Sequence, residues 1–309
     1  MYKITEHKTL SGLPFVHAQN IPTLSIFKTF DCGQSFRFEP VSFYGHKHEF
    51  GGVAFGKYVV FAQDNDAEIY VYGANQADFE KIWAPYLSLD VDYDEIDSLI
   101  STTLKSEHMD KCIDYSRGIR ILRQDRWEAL CSFIISQNNN IPRIKKIISA
   151  MSKMYGEVCY FEGEMHYSFP SAKALYLAGL DGLFALKTGF RAKYIFDASS
   201  KILTGEIDLE KIYKMDFDSA LLDLYKIKGV GVKVASCALL FGFDKTEAFP
   251  IDVWMRRALD NHFGGEVDIK ALGKSAGIAQ QYLFYYEKYN QRLPREGKGD
   301  RPAVDEVVQ

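Results

Sequence analysis

Lys233 and Asp252 are the pair of side chains in this chain best suited to chemistry. Lys233 stands two residues past the second glycine of Gly229-Val230-Gly231. Asp252 follows 19 positions later, in Ala248-Phe249-Pro250-Ile251-Asp252-Val253-Trp254. A lysine in the first turn of a helix faces the positive end of the helix dipole. Partial burial there favours the neutral amine, which is a nucleophile. An aspartate that follows Pro-Ile and precedes an amphipathic run sits at a helix N-cap, where backbone N–H groups keep it ionised. Such a carboxylate can stabilise positive charge that develops on a sugar ring as its base departs. Each residue alone has a plainer reading: Lys233 as a surface lysine touching phosphate, Asp252 as a helix cap. The chemistry rests on the two together.

The elements that must position this pair are two short helices joined by a glycine turn. Apolar periodicity places the hairpin at about residues 217–241, with Lys226-Ile227-Lys228-Gly229-Val230-Gly231-Val232 between the helices. The glycines permit positive φ and close backbone approach. The N–H groups of Gly229, Val230, Gly231 and Val232 ahead of the second helix would form an anion site, aided by the helix dipole. A DNA phosphate can be held there without any reading of sequence. Ile227 and Val230 would anchor the turn in the core. A lone G-x-G also occurs in ordinary helix–helix turns; amphipathic helices and lysines on both sides make this one a helix-hairpin-helix candidate. Hairpin carbonyls can also hold a structural cation, a feature that leaves no mark in sequence.

The bulk properties are compatible with that chemistry. The chain has 309 residues, 47% hydrophobic, 25% charged and 14% aromatic, enough for a large core and two domains. It contains no run of 18 apolar residues, and its first residues lack the apolar stretch of a signal peptide. The expectation is an intracellular monomer with no membrane role. The five cysteines, Cys32, Cys112, Cys131, Cys159 and Cys237, show no C-x-x-C spacing. They read as reduced thiols, the first four buried, with no iron–sulfur cluster, no side-chain metal site and no required cofactor. Net charge is −4, which speaks against nucleic acid until its distribution is considered. Arg117, Arg120, Arg123, Arg126, Arg143, Lys145 and Lys146 cluster, as do Lys187, Arg191, Lys193 and Lys201. One positive face on an acidic protein and a set of solvated helix faces are both open on charge alone.

The period of the pattern changes along the chain. Tyr58-Val59-Val60-Phe61-Ala62 and Glu68-Ile69-Tyr70-Val71-Tyr72 read as strands joined by a turn. Gln34-Ser35-Phe36-Arg37-Phe38 alternates as a further strand, and one helix falls at about 78–87. After about Asp92 the period is helical, with Asp125, Asn140, Ser171 and Asp216 as N-caps and Glu128 at the capping-box position. The fold class is α+β: an antiparallel β domain with a flanking helix (1–105), then an all-α region (106–294). A polar, disordered tail follows (295–309).

Several blocks in order resemble the helix-hairpin-helix glycosylases, and within them the 8-oxoguanine DNA glycosylases. They are Cys32-Gly33-Gln34-Ser35-Phe36-Arg37, Ser132-Phe133-Ile134-Ile135-Ser136-Gln137-Asn138-Asn139-Asn140-Ile141, and Gly189-Phe190-Arg191-Ala192-Lys193-Tyr194. The hairpin through Cys237, Pro250-Ile251-Asp252-Val253, and Ala276-Gly277-Ile278-Ala279-Gln280 with Phe284 complete the set. The resemblance covers most of the chain. It implies an enzyme that flips 8-oxoguanine from double-stranded DNA, removes it through a Schiff base on Lys233 supported by Asp252, and nicks by β-elimination. It implies that Gly33 accepts the N7–H of the lesion, that Gln280 reads its Watson–Crick edge, and that Phe284 and Cys237 sandwich it. It also implies that Asn138, Arg143, Phe190 and Arg191 fill the vacated stack and meet the opposite base. Two positions depart from the pattern: Trp254 replaces a phosphate-contacting histidine, and Phe190 lacks a tyrosine hydroxyl. The rival readings are a glycosylase for alkylated purines, which would need no lysine nucleophile, and a non-catalytic DNA-binding protein.

Overall fold

The computed structural model describes residues 2–265 and 267–290. The tail expected at 295–309 lies outside the described residues. Six antiparallel strands form one sheet: β1 (Lys3–Lys8), β2 (Pro14–Gln19), β3 (Phe38–Pro40), β4 (His48–Ala54), β5 (Lys57–Gln63) and β6 (Glu68–Tyr72). Their spatial order is β1-β2-β6-β5-β4-β3. The expected β5–β6 hairpin is present, with Phe61 opposite Val71. Alternation then sends Val16, Val59, Phe61, Ile69 and Val71 to one face. There they bury against Phe30 of α1 (Ile26–Asp31) and against Trp83 and Leu87. The Phe30 ring stacks on Phe50 and Phe61 at centroid distances of 5.3 and 5.5 Å. The expected helix near 78–87 is α2 (Gln76–Asp78), a π-helical turn (Phe79–Trp83) and α3 (Ala84–Tyr86) in continuous series.

The stretch read as a strand from Gln34 becomes one only at Phe38. Gln34 is buried, and its side-chain amide donates to Thr29 O at 3.0 Å and Arg120 O at 2.8 Å, while its Oε1 accepts from Leu122 N–H at 2.8 Å. A side chain satisfied by three backbone groups fixes a loop, not a pleat.

The helical part comprises α4 (Tyr93–Leu104), α5 (Glu107–Ser116), α6 (Arg126–Ser136), α7 (Ile141–Tyr155), α8 (Ala172–Ala185), α9 (Arg191–Thr204), α10 (Leu209–Lys214), α11 (Phe217–Tyr225), α12 (Val232–Gly242), α13 (Val253–Phe263), α14 (Ile269–Leu272) and α15 (Ala276–Asn290). The expected caps form: Asp125, Asn140, Ser171 and Asp216 accept from the N–H three residues on, at 2.9 to 3.2 Å. Glu128 does not close a capping box; its carboxylate turns to Arg37, 3.5 Å away. α6 and α12 are apolar around most of their circumference and fill the centre of this core, as helices without a solvent face must.

This part is not purely helical. β7 (Val158–Phe161) and β8 (Glu164–Tyr167) form a hairpin between α7 and α8. Glu162 and Gly163 both adopt positive φ, 48° and 82°, the requirement of a two-residue hairpin turn. The hairpin forms because the second face of the sheet needs a cover: Phe161 packs with Val60, Ala62 and Tyr72. Cys159 lies on this edge and is half-buried, while the other four cysteines are buried.

Candidate active site and nucleic-acid interface

Lys233 occupies the second position of α12, whose N-cap is Gly231. Asp252 is the N-cap of α13; its Oδ1 accepts the Met255 N–H at 2.8 Å. Both side chains are half-buried, and among the described residues they form no ion pair with each other. They line one pocket of about 80 Å³ together with Gly33, Cys237, Gln280 and Phe284. All six residues expected at the catalytic and base-recognition positions therefore meet in one place. A cleft of about 450 Å³ beside Trp127 and Glu128 is larger but contains neither Lys233 nor Asp252.

The walls follow from local folding. Gly33 has φ of +82°, and a Cβ there would stand 3.6 Å from the Phe284 ring. Phe284 and Gln280 are four residues apart on α15 and so share a face. Gln280 is buried, and its Oε1 has no hydrogen-bond partner among the described residues. A buried acceptor left open costs about 1–3 kcal/mol unless a ligand meets it. Cys237 is buried one turn below Lys233. Burial pushes its thiol up to about 11; the nearby ammonium of Lys233 opposes this and Asp252 adds to it. Cys237 is accordingly a neutral thiol that offers a packing face.

Sequence reasoning missed the residues that hold this pocket in shape. Gln281 donates to Cys32 O at 2.8 Å, and Lys288 donates to Asp31 O at 2.7 Å. Gln124 donates to Gln34 O at 2.7 Å. The Gly33 carbonyl between these anchors has no donor among the described residues. Phe133 and Phe241 close the back of the pocket, stacked at 5.3 Å. None of these contacts has a local sequence signal, because the partners are far apart in the chain.

The hairpin turn forms, with one departure: the Val230 N–H, expected to face a phosphate, donates to Ile227 O at 3.1 Å and closes the turn instead. Ile227 and Val230 are buried, and Gly229 has φ of +76°. Its missing side chain accommodates Tyr194, whose ring would lie 2.4 Å from a Cβ. Lys228 N–H donates to Asp197 at 2.8 Å, which docks the turn on α9. The N–H groups of Gly231, Val232, Lys233 and Val234 have no acceptor among the described residues, so α12 presents an open N-terminus.

Beside the hairpin lie the segments expected to meet the vacated stack. Asn138 is exposed with φ of 45°. Phe190 is 46% exposed, stands edge-on to Tyr194, and lies under the Arg191 guanidinium. Arg143 is exposed and donates to Lys187 O at 3.3 Å. Arg191 is turned inward instead of outward: it is 2% exposed and donates to the carbonyls of Gln137, Asn138 and Thr188. It positions the Asn138 turn. Val232, Val253 and Trp254, next in sequence to the hairpin turn and to Asp252, are exposed, and Arg257 stacks over Trp254 at 5.2 Å.

The first four arginines of the basic run, Arg117 to Arg126, do not make a positive face. Arg117 pairs with Asp94, Arg123 with Asp90 and Asp244, and Arg126 with Glu210. Arg120 is buried and donates to Thr23, Ser88 and Val91 carbonyls. Lys193, Lys228, Arg256 and Arg257 are exposed without an ion-pair partner among the described residues. Other exposed cations without an ion-pair partner among the described residues, such as Lys146, Lys173 and Lys274, lie elsewhere; these four flank the hairpin and the start of α13.

Comparison with known proteins agrees with this geometry. The profile of a family described as "8-oxoguanine DNA glycosylase, N-terminal domain" matches residues 18–130, from β2 into α6. A protein named probable N-glycosylase/DNA lyase from Methanothermobacter thermautotrophicus is 33% identical over 227 residues, 64% of this chain and 72% of that one. The Clostridium acetobutylicum 8-oxoguanine glycosylase/lyase, solved with double-stranded DNA containing cytosine opposite 8-oxoG, superposes with a TM-score of 0.84 at 35% identity. That match covers 93% of this chain and 98% of the other. The chain belongs to the 8-oxoguanine DNA glycosylase family. A 3-methyladenine DNA-glycosylase from Archaeoglobus fulgidus, at 17% identity and a TM-score of 0.68, shares the fold alone. A DNA-3-methyladenine glycosylase from Bacillus subtilis also matches in sequence, at 28% identity over 44% of this chain and 45% of that one.

Proposed function

We propose that this chain is a bifunctional glycosylase and lyase that removes 8-oxoguanine from duplex DNA, with Lys233 as nucleophile. The observation that carries the reading is the single pocket shared by an amine, a capped carboxylate and an open buried acceptor at Gln280. The lesion nucleotide turns out of the stack into this pocket. Lys233 Nζ attacks C1′, the bond from C1′ to N9 breaks, and the base leaves with the bonding electrons and a proton. Asp252 stabilises the positive charge developing on the sugar. Opening of the ring gives a Schiff base; loss of a C2′ proton then expels the 3′ phosphate and nicks the strand. The chemistry needs no cofactor.

Selectivity rests on the Gly33 carbonyl. 8-Oxoguanine carries hydrogen at N7 and donates to it, whereas guanine presents a lone pair there and is repelled. Gln280 Oε1 meets the donors of the Watson–Crick edge, and Phe284 and Cys237 take the two ring faces. The open N-terminus of α12 holds a backbone phosphate, and Asn138, Arg143 and Phe190 occupy the space left in the duplex. A structural cation on the hairpin carbonyls belongs to this reading with one constraint: Lys226 O already accepts from the Lys201 ammonium. Work on genomic DNA places the protein inside the cell, in a nucleoid or a nucleus.

Borohydride trapping on duplexes containing 8-oxoguanine tests the reading. The native chain gives a covalent adduct and Lys233→Gln gives none. An adduct that persists in Lys233→Gln assigns the nucleophile elsewhere.

A further inference from the structure

We propose that the cleft between the β3–β4 edge of the sheet, α7 and β8 is a second, non-catalytic site that takes a nucleotide with a terminal phosphate. The cleft measures about 370 Å³, within the range of small-molecule sites. It shares no lining residue with the pocket of Lys233 and Asp252. One face of α7 forms a wall, where Lys145, Ser149, Ser152 and Lys153 recur at the spacing of a single helical stripe. β4 forms the floor. A Cβ at Gly51 would stand 2.4 Å from the Tyr58 hydroxyl, so the glycine lets the tyrosine lie flat across the strand.

Two polar groups of the lining are buried and open. Ser152 is 3% exposed, and its Oγ has no hydrogen-bond partner among the described residues. The Arg37 side chain is 9% exposed. Its Nη2 donates to Tyr167 O, while Nη1 makes no hydrogen bond and stands 3.5 Å from Glu128 Oε2. Buried donors left open favour a ligand that accepts from them. Lys153 is exposed with no ion-pair partner among the described residues, and Lys145 is held by Glu39 at 2.9 Å. Three cations therefore face one carboxylate, Glu39, within the lining. Phosphate oxygens accept from guanidinium, ammonium and hydroxyl donors alike, and the charged pairs are the strong ones. An aromatic column supplies the place for a base. Tyr58 lies between Phe161 and His166, at centroid distances of 4.7 and 3.8 Å. His166 ends the column, with no further ring against it among the described residues. A nucleobase laid on its outer face extends the stack.

The test titrates the full chain by calorimetry with deoxyadenosine 5′-monophosphate, with deoxyadenosine, and with an undamaged single strand that carries a 5′ phosphate. The expected result is one saturable nucleotide site per chain, with the nucleoside weaker by roughly tenfold for want of its charged contacts. Lys153→Gln and His166→Ala each weaken nucleotide binding several-fold. Glu39→Gln frees Lys145 and tightens it. Phe284→Ala, in the other pocket, leaves it unchanged. The same phosphate and base occur on a free nucleotide and at the end of a cut strand. A strand that displaces the nucleotide assigns the strand end, one that does not assigns the free nucleotide, and both support the cleft. No saturable uptake, a loss in Phe284→Ala as large as in Lys153→Gln, or one affinity shared by the native chain, Lys153→Gln and Glu39→Gln overturns the assignment. Borohydride trapping by Lys153→Gln stays at the native level, so failure here is separate from failure of the excision reading.

Discussion

The side-chain amide of Gln281 donates to the carbonyl of Cys32 at 2.8 Å, joining residues 249 positions apart. This bond holds the loop that carries Gly33 against the helix that carries Gln280 and Phe284. Replacing Gln281 with leucine preserves bulk and leaves a buried carbonyl unpaired, a loss of about 1–3 kcal/mol. The Gly33 carbonyl then loses its fixed position. We expect the preference for 8-oxoguanine over guanine duplexes to narrow about tenfold, or ~1.4 kcal/mol, while the trapped adduct still forms. An unchanged preference in competition binding would detach Gln281 from recognition.

Phe284→Ala removes the ring that faces Gly33 across the pocket. Affinity for lesion duplex should fall by about 1–3 kcal/mol, the range for lost base stacking, with little change for undamaged duplex. Equal loss on both duplexes would return Phe284 to a packing role.

Gly229→Ala places a methyl in the Tyr194 ring at a φ of +76°. The turn must shift, at a loss of more than ~1 kcal/mol of stability. Because phosphates are contacted without reading bases, binding should weaken by similar factors on damaged and undamaged DNA, and the salt dependence should drop by about one phosphate. A defect confined to lesion duplex would contradict a phosphate role for the hairpin.

Arg191→Leu leaves the carbonyls of Gln137, Asn138 and Thr188 without their donor. Urea melts should show a loss of roughly 2–4 kcal/mol, and Arg191→Lys should recover little, since three donors on one nitrogen do not reproduce the planar guanidinium fork that reaches these carbonyls from three nitrogens. Normal stability combined with lost cytosine preference would show that the guanidinium serves the opposite base.

Glu128 supplies a pH dependence. Burial pushes its carboxyl up to about 7, with Arg37 opposing and Asp125 adding. The folded state therefore holds the proton more tightly than the unfolded one. That stabilisation is complete below the ordinary carboxylate value and is lost as pH rises from there through about 7. Glu128→Gln removes the dependence. Relative to the native chain, the variant should be more stable at pH 8 than at pH 5 by on the order of 1–3 kcal/mol. Parallel melting curves for the two proteins across this range would contradict the assignment.

Local chemistry was legible in the sequence wherever cause and effect lie within a few residues. The caps at Asp125, Asn140, Ser171, Asp216 and Asp252, the β5–β6 hairpin, and the glycine turn ahead of Lys233 depend on short-range hydrogen bonds and backbone freedom. The pairing of Lys233 with Asp252 was legible through ordered motifs. What the sequence left open is set at long range. Whether an arginine faces DNA, an acid or a carbonyl depends on the neighbour the fold supplies. The run from Arg117 to Arg126 is consequently neutralised, and Arg191 is turned inward. The β7–β8 hairpin exists because an apolar sheet face needs a cover. Amine, carboxylate and open acceptor were each written in the chain, but only the packing of α12, α13 and α15 around the Gly33 loop made one pocket of them, since buried polar groups take their partners from whatever elements the core brings together.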